Sequence, residues 1–246
     1  MAHKTFIRHT QGKRAVLFIH GFLGSPEHFE KFIDVVPSDC AVYNILLDGH
    51  GGTVKDFAKA SMNKWKANVR KTVDNLLERY EELIICGHSM GTFFAMEEAI
   101  RNPKRISKIF LLAIPLKIGV RGEAFLNTAK SFFNFGGKTD KKAEMYKKAH
   151  SVKLNKRLWQ YIGWIPRYIE LIRESGKSNK TIKNLETEAY IYMSAKDELV
   201  SCKRSLKHIP KKDNIHLTVL PASAHFIYDD EEYNTLLQEF GKLFIH

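Results

Sequence analysis

The fold of this chain is decided by one stretch of its sequence, Leu83-Ile84-Ile85-Cys86-Gly87-His88-Ser89-Met90-Gly91. It begins with an apolar run typical of a buried strand, and the residues that follow it, 92–100, favour a helix. Between them stands the pattern Gly-x-Ser-x-Gly, whose glycines allow a turn too tight for larger side chains. The sequence therefore predicts a sharp turn that raises the hydroxyl of Ser89 above the sheet. In the alternative interpretation, the turn is glycine-rich and the serine is incidental.

A serine hydroxyl becomes a good nucleophile only when a base takes its proton and a carboxylate orients that base. Two later segments, Glu188–Ser194 and Ile215–Leu220, have the composition of strands, and Asp197 and His225 come shortly after them. Strands of an open parallel sheet end at one edge, where such folds bind their ligands. We therefore predict that Ser89, Asp197 and His225 meet at that edge as catalytic residues.

The acid in this scheme has competitors. Asp197 could instead cap a helix that begins near Ser201, and Glu198 is the alternative acid. Asp229 and Asp230 suit the start of the last helix, where acidic side chains are favoured. Three further histidines are expected near the site, the last of them packed or hydrogen-bonded beside the serine: His20, His50 and His88.

A tetrahedral intermediate on the serine would carry a negative charge, which two main-chain N–H groups would stabilise. In chains with this turn, one N–H belongs to the residue after the nucleophile and the other to the loop after an early strand. Here that strand is Ala15–Ile19 and the loop is His20–Gly24. We therefore predict that the N–H groups of Phe22 and Met90 form an oxyanion hole.

Five short motifs follow one another along nearly the whole chain: His20-Gly21-Phe22-Leu23-Gly24-Ser25, Gly49-His50-Gly51, Gly87–Gly91, Asp197-Glu198-Leu199-Val200 and Ala224-His225-Phe226-Ile227. With them the chain resembles the α/β-hydrolase superfamily, and within it the group of carboxylesterases and monoacylglycerol lipases. The chain departs from that group at Ser194 and Ser201, where a glycine and a proline are usual.

Strand-like and helix-like segments alternate through residues 1–115 and 187–246. This alternation predicts an α/β-hydrolase core with a mostly parallel central sheet and helices on both faces. A helix is expected to start at Ser25-Pro26, with the serine as its cap. The remaining expected elements are the strands Lys4–His9, Ala41–Leu47, Leu83–Cys86 and Ile106–Ile114 and the helix Met62–Tyr80.

Residues 116–186 interrupt this alternation and are predicted to form an inserted helical cap above the site. Between residues 115 and 186 there are sixteen lysines and arginines but only six acidic residues. This charge indicates either a solvated surface or a weak contact with anionic membranes, and no nucleic-acid motif is present. The cap is also rich in aromatic residues that could line an apolar pocket: Phe125, Phe132, Phe133, Phe135, Trp159, Tyr161, Trp164 and Tyr168.

Length, composition and cysteine spacing limit the class of protein further. A chain of 246 residues can bury one sizeable core, and no stretch approaches the roughly 18 consecutive apolar residues of a membrane-spanning helix. The start of the chain shows no signal-peptide pattern, and three cysteines without a paired spacing suggest reduced thiols, so a cytoplasmic location is expected. No spacing for a metal or a nucleotide occurs, and no cofactor is expected.

Together, the residues and the resemblance predict a serine hydrolase that cleaves carboxylic esters through an acyl-enzyme. The expected substrate is a small ester with an apolar acyl group, either a monoacylglycerol or a short-to-medium acyl ester. The same three residues could instead serve a thioesterase, an aminopeptidase or a hydrolase of carbon–carbon bonds. A binding protein of this fold that has lost catalysis is the alternative from another class.

Overall fold

The computed structural model describes residues 3–119 and 150–245. Its strands are β1 (Phe6–Arg8), β2 (Arg14–Ile19), β3 (Ala41–Ile45), β4 (Glu82–His88), β5 (Ile106–Leu112), β6 (Glu188–Ser194) and β7 (Ile215–Leu220). Within these residues they form one seven-stranded sheet in the order β1-β3-β2-β4-β5-β6-β7. β1 runs antiparallel to β3, and every other neighbouring pair is parallel, as predicted.

Helices connect the strands. They are α1 (Glu30–Asp34), α2 (Val54–Lys59), α3 (Met62–Arg79), α4 (Met90–Arg101), α5 (Ile165–Thr181), α6 (Cys202–Ser205) and α7 (Asp230–Lys242). Short 3-10 helices cover Pro26–Phe29, Leu158–Trp164, Ile182–Asn184 and Leu206–His208.

Every predicted strand is present, although β1, β3 and β5 are shorter than predicted. β5 ends at Leu112 because Ala113 has a φ of 52°, which no strand residue adopts. A helical segment begins at Pro26 with Ser25 at the N-cap position, as predicted, but it is a short 3-10 helix and the side chain of Ser25 makes no capping hydrogen bond. The helix α2 was not predicted, and it begins with a capping box between Thr53 and Asp56.

The central strands β2, β4 and β5 are largely buried on both faces and are therefore nearly continuous apolar runs, whereas the edge strands β1 and β7 are mostly exposed. In β2, Leu17 packs into one hydrophobic cluster and Phe18 into the other. Trp65 of α3 belongs to the first cluster and Phe240 of α7 to the second, so helices cover both faces. This layering leaves the strand ends as the places where polar side chains can gather.

The register of the sheet brings the carboxyl ends of the central strands into line. Ile19 pairs with Gly87, His88 with Leu112, and Leu112 with Tyr192. The last residues of β6 and β7 also pair with each other. The loops that follow β2, β4, β6 and β7 therefore start at one edge, and these loops carry the predicted site residues.

The described part of the predicted cap packs on the core through its 3-10 helix and α5. The N–H of Ser151 donates to the carbonyl of Leu23 at 2.9 Å, and Nε1 of Trp164 donates to the carbonyl of Val54 at 2.9 Å. The boundaries 116–186 stay a prediction. Four aromatic residues of this segment lie outside the described residues: Phe125, Phe132, Phe133 and Phe135.

None of the helices in residues 3–119 and 150–245 is long and apolar enough to cross a membrane. The three cysteines are unpaired, and Cys40 and Cys86 are buried. Burial raises the pKa of the Cys40 thiol to about 12, so this thiol is not a nucleophile near neutral pH.

Candidate active site

Ser89 occupies the sharp turn between β4 and α4. Its φ of 50° and ψ of −120° lie in a region that residues with side chains rarely adopt. Its N–H donates to the carbonyl of Leu112 at 2.8 Å. Its own carbonyl accepts from the N–H of Thr92 at 2.9 Å and from Oγ1 of Thr92 at 2.6 Å. These bonds hold the strained main chain in place, and the predicted turn is present.

The glycines of this turn are required by close packing. A Cβ on Gly91 would collide with the carbonyl oxygen of Ile19, and a Cβ on Gly87 would lie 2.8 Å from the carbonyl carbon of Gly91. A Cβ on Gly21 would lie 2.9 Å from Cβ of Ser89. The loop after β2 therefore passes directly beside the candidate nucleophile.

Asp197 and His225 meet in the interior. Oδ2 of Asp197 lies 2.7 Å from Nδ1 of His225, and both residues are only 2% exposed. Oδ1 of the same carboxylate accepts from the N–H groups of Leu199 at 2.8 Å and Val200 at 2.7 Å. Ser201, not Asp197, is the residue that precedes α6, so the interpretation of Asp197 as only a helix cap is wrong.

The electrostatics of this pair favour a basic imidazole. Burial lowers the pKa of His225, but the charge and the hydrogen bond of Asp197, with the charge of Glu198, raise it by more, so that the pKa lies above 6.5. Because a carboxylate only accepts hydrogen bonds, Nδ1 of His225 carries a proton. In the neutral ring Nε2 is then the nitrogen that can take up a proton.

The main chain of His225 is held from both sides. Its N–H donates to Oε2 of Glu198 at 3.2 Å, and its carbonyl accepts from Nε2 of His88 at 3.0 Å. Glu198, the alternative acid, thus contacts the main chain of His225, whereas Asp197 contacts the ring. The side chain of His88 bonds to the loop of the candidate base, and this partner could not be read from the sequence.

Ser223 also anchors the loop that carries His225, and the sequence did not predict this role. Oγ of Ser223 donates to the carboxylate of Glu232 on α7 and accepts from the N–H of Asp229 at 3.1 Å. The N–H of Ala224 donates to the carbonyl of Ile227 at 2.8 Å. As predicted, Asp229 also caps the last helix.

The proposed oxyanion donors lie on the two segments that touch at Ser89. Met90 is the first residue of α4, where main-chain N–H groups lack helical partners and the helix dipole favours negative charge. The loop that contains Phe22 is a tight turn, since Gly24 donates to the carbonyl of Gly21 at 3.0 Å. Phe22 and Met90 stay predicted donors.

Buried histidines surround the site. Burial lowers the pKa of His20 to about 4 and that of His28 to about 3, and it lowers the pKa values of His50 and His88 well below 6.5. His20 is fixed as a neutral tautomer, because Nε2 accepts from the N–H of Leu47 at 3.1 Å and Nδ1 therefore donates to its neighbour's carbonyl. The ring of His28 packs against that of His88, with 4.0 Å between ring centroids. Neutral rings thus surround one basic imidazole.

Aromatic side chains form the described walls of the site. The ring of Phe22 lies 5.0 Å from that of Tyr168 on α5 and 5.1 Å from that of Phe57 on α2. Phe226 packs edge-on against His225 at 4.6 Å. Not every cap aromatic faces the site as expected, since Trp159 is 67% exposed.

Known proteins share this architecture, and one protein family matches most of the chain. Residues 10–232 match the model of the family described as serine aminopeptidase, S33. A Mycoplasma genitalium protein whose name places it among esterases and lipases is 24% identical over 240 residues, which cover 89% of this chain and 83% of that protein. The resemblance to the α/β-hydrolase superfamily is therefore confirmed.

Solved structures agree in fold. One belongs to a study of two metagenome-derived lipolytic enzymes; it has a TM-score of 0.74 at 21% identity and matches 100% of this chain and 98% of its own. Another is a soluble variant of the monoglyceride lipase of Saccharomyces cerevisiae, with a TM-score of 0.70 at 15% identity over 97% of this chain and 90% of its own. At these identities the likeness shows the α/β-hydrolase fold.

Proposed function

Because the chain belongs to the serine aminopeptidase S33 family of α/β-hydrolases, we propose that this hydrolase is a serine esterase that uses Ser89, His225 and Asp197. The observation that carries the proposal is the buried 2.7 Å contact between Asp197 and His225 at the sheet edge where Ser89 stands on its strained turn. Geometry and charge at this edge suit nucleophilic acyl transfer.

In the first half of the reaction, Nε2 of His225 takes the proton of Ser89 as Oγ attacks the ester carbonyl carbon. Asp197 holds the ring in the required tautomer and stabilises its charged form. The N–H groups of Phe22 and Met90 bind the oxyanion, and the N-terminus of α4 adds its dipole. The imidazolium then protonates the leaving alcohol, which departs and leaves an acyl-enzyme on Ser89.

Water completes the cycle. It loses a proton to Nε2 of His225 as it attacks the acyl carbon, and the same two N–H groups hold the second oxyanion. When this intermediate collapses, the proton returns to Oγ of Ser89 and the carboxylic acid leaves. Each step uses the same groups, so the loss of any one of them is expected to abolish most of the turnover.

The proposed substrates are monoacylglycerols and esters with short-to-medium acyl chains. The aromatic rings of Phe22 and Tyr168 offer an apolar wall for an acyl chain beside the proposed oxyanion hole, and the buried ring of Phe57 packs against Phe22. Lipolytic enzymes and a monoglyceride lipase are among the proteins of the same fold.

The family description also makes an aminopeptidase the second candidate. Such an enzyme would bind substrates with a protonated α-amino group. The net charge of +12, concentrated in residues 115–186, repels that group, so charge favours a neutral ester over an aminoacyl substrate.

Labelling with a fluorophosphonate probe, followed by a substrate panel, tests the proposal. The wild-type protein should be labelled and should hydrolyse p-nitrophenyl esters and monoacylglycerols faster than acyl-CoA or aminoacyl amides. Ser89→Ala should lose labelling and turnover, whereas Ser107→Ala, at the opposite end of the sheet on β5, should keep both. Labelled Ser89→Ala protein would refute the nucleophile, and preference for aminoacyl amides would refute the ester.

A further inference from the structure

Helix α5 buries polar side chains, whereas an ordinary surface helix buries apolar ones. The residues that it buries are polar, namely Glu174, Ser175 and Ser178. Oγ of Ser175 donates to the carbonyl of Pro115 at 2.5 Å, and the carboxylate of Glu174 pairs with Lys66 of α3 at 2.6 Å. An amphipathic surface helix of a globular protein usually turns its apolar side towards the core.

Of the large aliphatic side chains of this helix, Leu171 packs against the core, whereas the three isoleucines point outward. Ile165, Ile169 and Ile172 follow a spacing of four and three, so they share one side of α5, and they are 54%, 43% and 60% exposed. The preceding 3-10 helix continues this surface with side chains that are at least 59% exposed. We call the whole set the outer apolar face: Leu158, Trp159, Ile162, Ile165, Ile169 and Ile172. Exposed apolar patches of this kind mark interaction surfaces.

Charges around the outer apolar face are of one sign. Both acidic residues of α5 are engaged by cations, Glu170 with Arg167 at 2.8 Å and Glu174 with Lys66 at 2.6 Å. The exposed basic residues nearby lie before the face and along one flank of α5: Lys153, Lys156, Arg157, Arg173, Lys177 and Lys180. Lys177 also reaches Glu174, at 3.4 Å. The face therefore presents aliphatic side chains within a positively charged border.

We infer that the outer apolar face of residues 158–172 binds the surface of an anionic lipid bilayer. Aliphatic side chains with a tryptophan enter the boundary between headgroups and acyl chains, and lysines and arginines pair with anionic headgroups. A second copy of this chain is disfavoured, because a symmetric contact would bring the two basic borders together. Nucleic acid would use the charges but leave the aliphatic side chains in water.

The same helix joins this surface to the proposed active site. Tyr168, one residue before Ile169, packs against Phe22 at 5.0 Å between ring centroids. A bilayer on the outer apolar face would therefore lie close to the loop that carries a proposed oxyanion donor. The inference does not depend on the proposed esterase activity, since it is tested by binding alone.

Co-sedimentation with vesicles measures the binding. We expect the full chain to bind vesicles of phosphatidylcholine with phosphatidylglycerol, and to bind phosphatidylcholine alone much less. Binding should weaken in high salt, because the screening length falls from about 10 Å at 0.1 M to about 3 Å at 1 M. Absence of binding, or equal binding to both vesicles at every salt concentration, would overturn the inference.

Matched variants locate the surface. Arg173→Gln, Lys177→Gln and Lys180→Gln together should reduce binding on the order of 100-fold, from the contribution of each basic residue near an anionic surface. The triple variant Lys71→Gln, Lys104→Gln and Lys211→Gln lowers the net charge equally at exposed positions elsewhere and should bind normally. Equal losses in the two triple variants would mean that only overall charge matters, which contradicts a defined surface.

A second pair of variants tests how much the apolar side chains contribute to vesicle binding. Ile169→Glu with Ile172→Glu should abolish binding, while Ile245→Glu, at a position 70% exposed near the chain end, should not. Thermal melting checks that each variant is folded. Because Trp65 and Trp164 are buried, a blue shift of emission on adding anionic vesicles should come from Trp159 and vanish in Trp159→Phe. Emission from Trp159 that is already blue-shifted and unchanged by vesicles would show that protein covers the face, and would refute the inference.

Discussion

Nε2 of His88 donates a hydrogen bond to the main-chain carbonyl oxygen of His225 at 3.0 Å. The donor is the last residue of β4, next to the candidate nucleophile, and the acceptor belongs to the loop after β7, so one bond joins the end of β4 to that loop. Both residues are buried, and the ring of His88 packs against that of His28. A backbone carbonyl can only accept, so this bond requires a proton on Nε2 of His88.

His88 is therefore expected to position His225. His88→Leu leaves the carbonyl of His225 buried without this donor, which typically costs about 1–3 kcal/mol. If half of that cost appears in the transition state, kcat falls about 2- to 13-fold while KM changes little. His88→Gln can donate from its amide and should recover most of kcat. Equal kcat values in the leucine and glutamine variants would contradict the role of this hydrogen bond.

Substitutions of the two acids in the loop after β6, Asp197 and Glu198, are expected to lower turnover by very different factors. Asp197→Asn should favour the wrong tautomer of His225 and lower turnover about 10⁴-fold, as in other Ser-His-Asp triads. Glu198→Gln should have a much smaller effect, because its carboxylate accepts from the main-chain N–H of His225 at 3.2 Å, whereas Asp197 bonds to the ring. Steady-state kinetics of both variants on one ester give the comparison. The reverse order of effects would make Glu198 the orienting acid.

The pH dependence of activity should follow the protonation of His225. Its pKa lies above 6.5, and only the neutral ring can accept the serine proton. We therefore expect kcat/KM to rise with pH through an apparent pKa above 6.5 and then to level off. Asp197→Asn, which removes the charge that raises this pKa, should move the residual profile to lower pH. An acid limb well below 6.5 in the wild-type protein would contradict the assignment.

Stability should fall in mild acid because of the buried histidines. His20 and His28 have folded-state pKa values of about 4 and about 3, below the unfolded value of 6.5. As the pH falls below 6.5, the unfolded chain binds protons that the folded chain does not, and the free energy of unfolding decreases. The raised pKa of His225 acts in the opposite direction, since it stabilises the fold below 6.5 and that contribution is lost as pH rises through the folded-state pKa.

Denaturant unfolding at pH values from 6.5 down to 4 measures this effect. His28→Phe should flatten the dependence by about one proton. Nε2 of His28 is buried without a hydrogen-bond partner in the described part of the chain, and a phenyl ring keeps the ring contact with His88. Leu217→Phe, at an exposed position on β7 that carries no ionisable group, is the control and should leave the slope unchanged. An equally steep decline in His28→Phe would assign the acid sensitivity to other groups.

The sequence by itself determined the elements that depend on neighbouring residues. The Gly-x-Ser-x-Gly turn and the apolar strands are local patterns, so the positions of β4 and α4 follow from them, and the order of motifs led to Asp197 and His225. It also placed Asp229 at the start of the last helix, since capping is a local interaction.

Only the tertiary structure decided which groups touch across the sheet edge. The bond from His88 to His225 joins residues 137 positions apart, and the link between Ser223 and Glu232 depends on how α7 packs against the loop after β7. The composition of α5 likewise does not reveal that its polar side is buried, because that orientation is set by distant partners such as Lys66, 108 residues away from Glu174. Burial and pairing are properties of the packed chain, and local spacing determines which side chains share a face but not what that face meets.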